Sequence, residues 1–403
     1  MPMTTVDDEN SPCIQHDVSP IHVFLAFLRL GSTAFGGPAM IAHIREVAVS
    51  RKRWVSQESF EDGVALCQSI PGATVMQTAA YSGFRAGGLI GATAAYAGFG
   101  LPALLLMVVF SAAYSHGQDL HAAVSVFTGL RVIVVAIMAD ATVNFGRTSL
   151  KNTRDILLAL AAAAFLGMGV HPIIAIAAAA VVAVILYRDA IPVSVGNPVT
   201  PCPVRNGETN PLAAPIVIVL TVVVAMILMF LADRRLFGLA SIMLRIDLFA
   251  FGGGFASVPL MLHEIVDARH WLDNKTFMDG IALGQVTPGP IVITATFVGY
   301  QLAGLLGAVV ATLGIFTPSF IILVLSIPYL DRLKRSALFR RALRGALVCF
   351  VGLLFSVTVR FALAAPWSMP SAVIAGLTLV ALRFKVDILW VVMAGAVASA
   401  IML

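Results

Sequence analysis

Charged side chains are scarce in this sequence. They make up 12% of the 403 residues, whereas soluble proteins carry about 25%. Hydrophobic residues make up 59%, and the mean hydropathy is +0.94. A chain this apolar cannot hide its hydrophobic surface in a water-soluble core, which excludes a soluble protein. The net charge of +5 comes from basic residues in short loops between apolar runs, a pattern that sets membrane topology and gives no indication of nucleic-acid binding.

Patterns typical of metal, disulfide or enzyme chemistry are also missing from the sequence. The four cysteines include no CxxC pair, and the eight histidines are scattered, so neither a disulfide framework nor a metal site nor another cofactor is expected. There is no Walker A or HExxH motif, so neither ATP-driven transport nor an enzyme is supported. Asp7, Asp8 and Glu9 near the N-terminus are unlike the basic start of a cleavable signal peptide.

Long apolar runs are abundant. Several reach the roughly 20 residues that a helix needs to cross a bilayer. They are continuous and do not alternate, which predicts an all-α polytopic membrane protein and argues against a β-barrel. A proline-rich stretch, Arg188–Pro215, has the composition of a linker. The predicted organisation is a polar N-terminal tail (1–21), a first repeat (22–188), a Pro-rich linker (189–212), a connecting transmembrane helix (213–233) and a second repeat (234–403).

The two halves repeat each other. Phe35-Gly36-Gly37 recurs as Phe251-Gly252-Gly253 at an offset of 216 residues. After a one-residue slip, further polar and conformationally special residues align, namely Trp54 with Trp271, Asp62 with Asp279, Gln68 with Gln285, Pro71 with Pro288 and Gly72 with Gly289. Chance similarity between apolar helices does not produce matches of these residue types, so a tandem duplication is predicted.

Loop charges indicate that the two halves have inverted topology. The segment 116–128 has no lysine or arginine, whereas its counterpart 332–344 has six. The segment 45–53 has four, whereas its counterpart 263–275 has two basic residues diluted by three acidic ones. Because lysine and arginine prefer the cytoplasmic side, opposite biases in equivalent loops predict opposite orientations.

Broken or re-entrant helices explain the charge bias best. Each half has one interruption at Gly-Gly and another at Pro-Gly, which divides its apolar runs into pieces too short to span. Full spans with internal breaks remain the alternative, and the total is about 9–13 membrane crossings.

The interruptions are the predicted substrate site. Glycine and proline inside an apolar run free backbone N–H and C=O groups, which are tolerated in a membrane only inside protein or beside a wet cavity. Paired interruptions in inverted repeats point to a transport site near the midplane, and restarting helices present N–H groups that favour an anion. The alternative is close helix packing. The residues are Gly36, Gly37, Pro71, Gly72, Gly252, Gly253, Gly254, Pro288 and Gly289.

Arginines and glutamines within the apolar runs complete this predicted site. Arg29, Arg245 and Arg85 offer guanidinium groups suited to oxyanions, unless they reach to the membrane interface instead. Gln68, Gln77 and Gln285 flank the Pro-Gly interruptions and either bind the same ligand or form interhelical hydrogen bonds.

Acidic residues supply candidates for proton coupling. Asp62 and Asp279 occupy equivalent positions before the Pro-Gly interruptions, where they either carry protons or cap a helix start. Asp140 and Asp247 lie deeper in apolar runs and are weaker candidates, because the other half has Ser356 and Gly31 in their places.

These motifs resemble the chromate ion transporter family. The likeness rests on Arg29-Leu30-Gly31, Phe35-Gly36-Gly37-Pro38 and Leu66-Cys67-Gln68-Ser69-Ile70-Pro71-Gly72 in the first half. It continues in Gln285-Val286-Thr287-Pro288-Gly289-Pro290 and Phe316-Thr317-Pro318-Ser319-Phe320 in the second. One departure is Pro71-Gly72-Ala73, where the family commonly has Pro-Gly-Pro.

The resemblance implies a long-chain, two-domain secondary carrier. Such a protein moves chromate across the bacterial inner membrane, usually outward, which gives chromate resistance, with coupling to protons or sulfate proposed. Sulfate or another tetrahedral oxyanion as the physiological substrate is the alternative within this class. An anion channel or a non-transporting membrane protein is the alternative from another class. A homodimer is compatible with the sequence, and no enzyme activity is expected.

Overall fold

The computed structural model describes residues 18–35, 38–117, 121–188, 213–329 and 336–403. Most of the predicted tail, the predicted linker, and Gly36 with Gly37 lie outside these ranges. Within them the chain is helical and contains no strand, and the fold is that of an all-α polytopic membrane protein. The first half contains α1 (Pro20–Thr33), α2 (Pro38–Arg45), α3 (Gln57–Ser69), α4 (Thr74–Gly117), α5 (His121–Ser149), α6 (Thr153–Gly167) and α7 (Pro172–Leu186).

The second half repeats this series after one additional helix. That helix is α8 (Ala213–Ala232), and it contains no charged residue. The helices that follow are α9 (Arg234–Phe249), α10 (Ser257–Met261), α11 (Asn274–Val286), α12 (Thr294–Ser326), α13 (Ala337–Ala364), α14 (Met369–Arg383) and α15 (Ile388–Met402). The starts of α13, α14 and α15 each lie 216 residues after those of α5, α6 and α7, so the duplication extends to helix boundaries.

Several helices are too short to cross a membrane alone. The 14 residues of α1 and the 13 residues of α3 extend about 20 Å at 1.5 Å per residue. The hydrocarbon core is about 30 Å thick. Four segments are long and apolar enough to span, namely Thr74–Gly117, Val124–Ser149, Ile291–Tyr329 and Ala337–Ala364.

An additional interruption, which the sequence analysis did not predict, divides α4 and α12. Gly87 and Gly88 have non-helical backbone angles inside α4, and Ala303 and Gly304 have them at the equivalent place in α12. Gly88 and Gly304 have positive φ angles of 62° and 57°, which glycine adopts without steric cost. Each long helix is therefore two helices joined at a sharp bend.

The two halves are related by an approximate twofold axis. Thr142 and Thr358, which are equivalent residues, meet with their hydroxyl oxygens 3.1 Å apart. Further along α5, Phe145 packs on Phe350, which precedes Thr358 in α13. A step forward along one helix thus corresponds to a step backward along the other, so α5 and α13 are antiparallel. The axis runs across these helices, which is the geometry of inverted-topology repeats.

The halves also exchange their C-terminal hairpins. The pair α6–α7 packs on α13 of the second half, and the pair α14–α15 packs on α5 of the first. The crossing of α4 with α12 joins the halves at the centre, where the Tyr96 hydroxyl donates to the Phe316 carbonyl oxygen at 2.7 Å. The outer surface exposes large aliphatic side chains such as Leu105 and Leu306, as expected of a surface solvated by lipid.

Candidate functional site

The predicted interruptions meet in pairs that join the two halves. We call residues 34–37 and 250–253 the GG breaks, and residues 70–73 and 287–290 the PG breaks. The Gly72 N–H donates to the Ala250 carbonyl oxygen at 2.9 Å, and the Gly289 N–H donates to the Ala34 carbonyl oxygen at 3.1 Å. Each PG break is thus held by the GG break of the other half.

Local sequence explains the shape of the PG breaks. Helix α3 ends at Ser69 and α4 begins at Thr74. Pro71 has no N–H to continue a helix, and Gly72 has a φ of 115°, a conformation that L side chains rarely adopt. Gly289 repeats this conformation with a φ of 112°.

The second GG break and Gly254, which follows it, approach the residues that come directly after the two PG breaks. An added Cβ at Gly253 would lie 3.3 Å from the Thr74 Oγ1, at the start of α4. An added Cβ at Gly254 would lie 3.0 Å from the Ile291 side chain, which follows the other PG break. Glycine is therefore required here for close approach of the backbones. Gly252 instead faces Leu347.

Backbone donors remain unpaired where helices restart. Among the described residues, the N–H groups of Thr74, Val75 and Met76 have no acceptor, and neither do those of Ile291 and Val292. Such N–H groups at a helix N-terminus, together with the positive end of the helix dipole, favour an anion. Because Pro288 and Gly289 are buried, the donors of the second half lie inside the protein.

Polar side chains support the PG break of the first half. Gln77 is fully buried, and its Nε2 donates to the Pro71 carbonyl oxygen at 2.7 Å and to the Ser319 carbonyl oxygen at 3.3 Å. The Ser319 hydroxyl accepts the Ala73 N–H at 2.9 Å and donates to Asp247 Oδ2 at 2.6 Å. Gln77 therefore forms the interhelical hydrogen bond that was the alternative to ligand binding.

Apolar residues support the PG break of the second half. Ala103 occupies the position equivalent to Ser319, and Gly31 occupies the position equivalent to Asp247. An added Cβ at Gly289 would lie 3.0 Å from the Ala103 Cβ. Gln285 is half-buried, and its buried Nε2 has no partner among the described residues.

The predicted arginines lie at the periphery. Arg29 and Arg245 are exposed, Arg85 is half-buried, and Gln68 is exposed. Within the described part of the chain none of the three guanidinium groups forms a hydrogen bond or ion pair with another residue. The structure therefore places these side chains outside the buried contacts between the breaks.

Asp279 is buried in an ion pair that the sequence analysis missed. Arg131 Nε and Nη2 donate to its two carboxylate oxygens, each at 2.8 Å, and the Tyr114 hydroxyl donates to Oδ2 at 2.9 Å. The carboxylate is fully buried. Both carboxylate oxygens therefore have donors, and Arg131 supplies the compensating positive charge.

The helix-capping interpretation of Asp62 and Asp279 is wrong. Ser56 caps α3 by accepting the Ser59 N–H, and Asp273 caps α11 by accepting the Thr276 N–H. Asp62 and Asp279 each follow the capping residue by six positions, so they lie one to two turns inside these helices.

Ser319, Arg131 and Tyr114 were overlooked for a common reason. Each is polar in one half and replaced in the other, Ser319 by Ala103, Arg131 by Leu347 and Tyr114 by Leu330. A search for residues that match between the halves passes over them. A search for polar residues that lack a polar counterpart finds them.

Comparison with known proteins agrees with this architecture. A family model described as "Chromate transporter" matches residues 21–184 and 237–400, which correspond to the two halves. No solved structure matches the chain.

Relatives match over nearly their full length. An uncharacterized transporter of Methanocaldococcus jannaschii is 42% identical over 393 residues, 97% of this chain and 96% of that protein. The chromate transport protein of Cupriavidus metallidurans is 29% identical over 89% of this chain and 87% of its own length. That of Pseudomonas aeruginosa is 29% identical over 97% of this chain and 94% of its own length. The match to both halves, together with the duplicated breaks, shows that this chain belongs to the chromate transporter family.

Proposed function

We propose that this protein is a secondary active transporter that carries chromate out of the cell across the inner membrane. The observation that carries the proposal is the pairing of each PG break with the GG break of the other half, next to helix-start N–H groups that have no partner among the described residues. Chromate is a tetrahedral dianion, and such N–H groups are suited to it. The names of the relatives from Cupriavidus metallidurans and Pseudomonas aeruginosa supply the substrate.

The twofold symmetry supports a carrier mechanism. Inverted repeats present the same arrangement to either side of the membrane, so motion of one half against the other gives alternating access. Arg29, Arg245 and Arg85 are proposed to attract and guide the anion toward the breaks, where the Gln285 amide has a donor with no partner among the described residues. Asp62 and Asp279 remain the sequence-based candidates for proton coupling.

Sulfate is the competing substrate, since it shares the charge and tetrahedral shape of chromate. Anion flux into proteoliposomes decides between them. Labelled chromate and labelled sulfate are offered separately, with and without a proton gradient, at matched protein content. Saturable chromate uptake that sulfate inhibits only weakly is the expected result.

Concentrative flux separates a carrier from a channel. A carrier driven by an ion gradient accumulates anion above the external concentration, whereas a channel only equilibrates it. Protein-free liposomes provide the baseline. Absence of saturable flux of chromate in proteoliposomes containing folded protein would refute the proposal, and saturable flux of sulfate alone would reassign the substrate.

A further inference from the structure

Asp247 is a buried carboxylate that forms no ion pair with any cation in the described part of the chain. Its side chain is fully buried in α9, and its Oδ2 accepts the Ser319 N–H at 2.7 Å and the Ser319 hydroxyl at 2.6 Å. Its Oδ1 is buried and has no hydrogen-bond partner among the described residues. An ionised carboxylate in this environment is costly, and an unpartnered oxygen makes it more so.

The surrounding helices supply no compensating charge. Helices α8, α10 and α12, which pack against α9, contain no charged residue. From α4, Tyr96 faces Asp247, but its hydroxyl donates to the Phe316 carbonyl oxygen. On α9 itself, Arg245 is exposed. Asp279 differs in each respect, because Arg131 and Tyr114 occupy its oxygens.

A second polar atom near Ser319 is also unsatisfied. Gln77 Oε1 is buried and has no partner within the ranges that the structure describes, while Gln77 Nε2 donates to the Ser319 carbonyl oxygen. The amide is oriented with its NH₂ group toward the Pro71 and Ser319 carbonyl oxygens, because a carbonyl oxygen only accepts hydrogen bonds and so needs a donor opposite it. Two acceptors without donors therefore lie around one serine, at the PG break of the first half. A proton bound on Oδ1 removes the negative charge from the first of these two acceptors.

We propose that Asp247 is a proton-binding site that takes up a proton on Oδ1 when the anion binds and releases it when the anion leaves. This inference rests on the proposed function. In the step, hydronium in the aqueous phase transfers a proton to Asp247: one O–H bond of hydronium breaks, an O–H bond forms on Oδ1, and the carboxylate becomes the neutral acid with release of a water molecule.

The link between proton and anion is electrostatic. One hydroxyl group links Asp247 to the residue that precedes α4. The Ser319 hydroxyl donates to Asp247 Oδ2 and accepts the Ala73 N–H. A negative charge on Asp247 repels an anion bound to the neighbouring N–H groups of Thr74, Val75 and Met76. Protonation removes that charge, so each ligand favours the binding of the other. A proton and a dianion that leave the cell together carry one negative charge, which an inside-negative potential drives outward.

Proton uptake by purified protein tests the proposal. Chromate is added to protein in weakly buffered detergent solution, and bound anion and absorbed protons are both measured. We expect about one proton per bound anion near the pH where Asp247 titrates, and an affinity that rises up to about tenfold per unit fall in pH. Asp247→Asn, which mimics the neutral acid, is expected to bind chromate with less proton uptake and a weaker pH dependence than the unaltered protein, both measured at alkaline pH, where chromate is the dianion.

Matched variants separate the possible outcomes. Asp140→Asn removes a carboxylate that lies outside the breaks and pairs with Arg383, and it is expected to retain proton uptake. Ser319→Ala keeps the carboxyl and is expected to retain uptake with a changed pH dependence, which covers the case in which Asp247→Asn does not fold. Chromate binding by Asp247→Asn with unchanged proton uptake would overturn the proposal and leave the proposed function intact.

Infrared spectroscopy supplies a readout that needs no anion. The difference spectrum between acidic and alkaline buffer is expected to contain the C=O stretch of a buried carboxylic acid, and Asp247→Asn but not Asp140→Asn is expected to remove it. If this band persists in folded Asp247→Asn, the assignment is overturned whether or not chromate binds. Binding of chromate that requires sodium and takes up no protons would also overturn it.

Discussion

The two PG breaks share a backbone and differ in chemistry. Gly72 and Gly289 have φ angles within a few degrees of each other, and each donates its N–H to a carbonyl oxygen of the opposite GG break. The first break is supported by Ser319 and Asp247, whereas Ala103 and Gly31 occupy those places at the second. The two halves therefore share the backbone geometry that exposes N–H groups. They differ in that Asp247, an ionisable residue, supports the first PG break, whereas Gly31 occupies the equivalent position at the second.

Adding a side chain at Gly72 tests the shared backbone and has the largest expected effect. In Gly72→Ala the new Cβ would lie 2.0 Å from the Ser319 Oγ and 2.9 Å from its Cβ, at a φ of 115°. Backbone strain of about 1–3 kcal/mol adds to overpacking of about 1–3 kcal/mol. We expect chromate flux in proteoliposomes to be abolished.

Gly169→Ala is the matched control for this strain. Gly169 also has a positive φ, 81°, but nothing lies within 4 Å of its added Cβ, and it is remote from the breaks in sequence. It is expected to reduce stability modestly and to retain flux. Equal loss of flux in both variants would show that strain alone, and not the contact with Ser319, explains the effect.

Much of this architecture was predictable because repeated residues report on backbone geometry. Matching glycines and prolines at Gly72 and Gly289 predicted breaks that the structure contains, since these residue types have few other reasons to recur in apolar helices. The inverted orientation could be inferred from loop charges. The preference of lysine and arginine for the cytoplasmic side depends on the composition of whole loops and not on which residues are in contact.

Pairing between helices was not predictable from the same information. The bond from Gly72 to Ala250 joins residues far apart in the chain, and no pattern along one helix specifies its neighbour. The bend at Gly87 and Gly88 was missed because glycine in a membrane helix more often permits close packing than it breaks the helix. The pairing of Arg131 with Asp279 could not be inferred either, because the two residues lie on different helices in different halves.

Removing Arg131 tests the asymmetry between α5 and α13 and has the next largest effect. Leu347 occupies the equivalent position in α13, so Arg131→Leu makes the two helices alike there. It leaves Asp279 buried without its cation, and we expect a loss of about 3–5 kcal/mol in unfolding free energy. The measurement is thermal unfolding of the purified protein in detergent.

A double variant and an exposed pair serve as controls for Arg131→Leu. Adding Asp279→Asn removes the unpaired charge and is expected to restore part of the stability. Arg51→Ala breaks an ion pair with Glu46 that is largely exposed, and it is expected to cost less than about 1 kcal/mol. A melting temperature for Arg131→Leu equal to that of the unaltered protein would contradict a stabilising role.

Replacing the two equivalent arginines, one in each half, tests whether the halves contribute equally to anion capture. Arg29→Ala and Arg245→Ala each remove an exposed guanidinium at equivalent positions. Each is expected to lower chromate flux tenfold or more, equivalent to about 1.4 kcal/mol, at normal expression and melting temperature. Flux at the level of the unaltered protein in both variants would indicate that these side chains only reach to the membrane interface.

Grafting the serine onto the second break has the smallest expected effect. In Ala103→Ser the new hydroxyl can donate to the carbonyl oxygen one turn earlier in α4. It gains no carboxylate acceptor, because Gly31 stands where Asp247 stands in the other half. We expect stability within about 1 kcal/mol of the unaltered protein, flux within twofold, and an unchanged pH dependence of chromate binding. A changed pH dependence would mean that a serine alone confers proton sensitivity at a PG break, and the distinction between the two breaks would then not rest on Asp247.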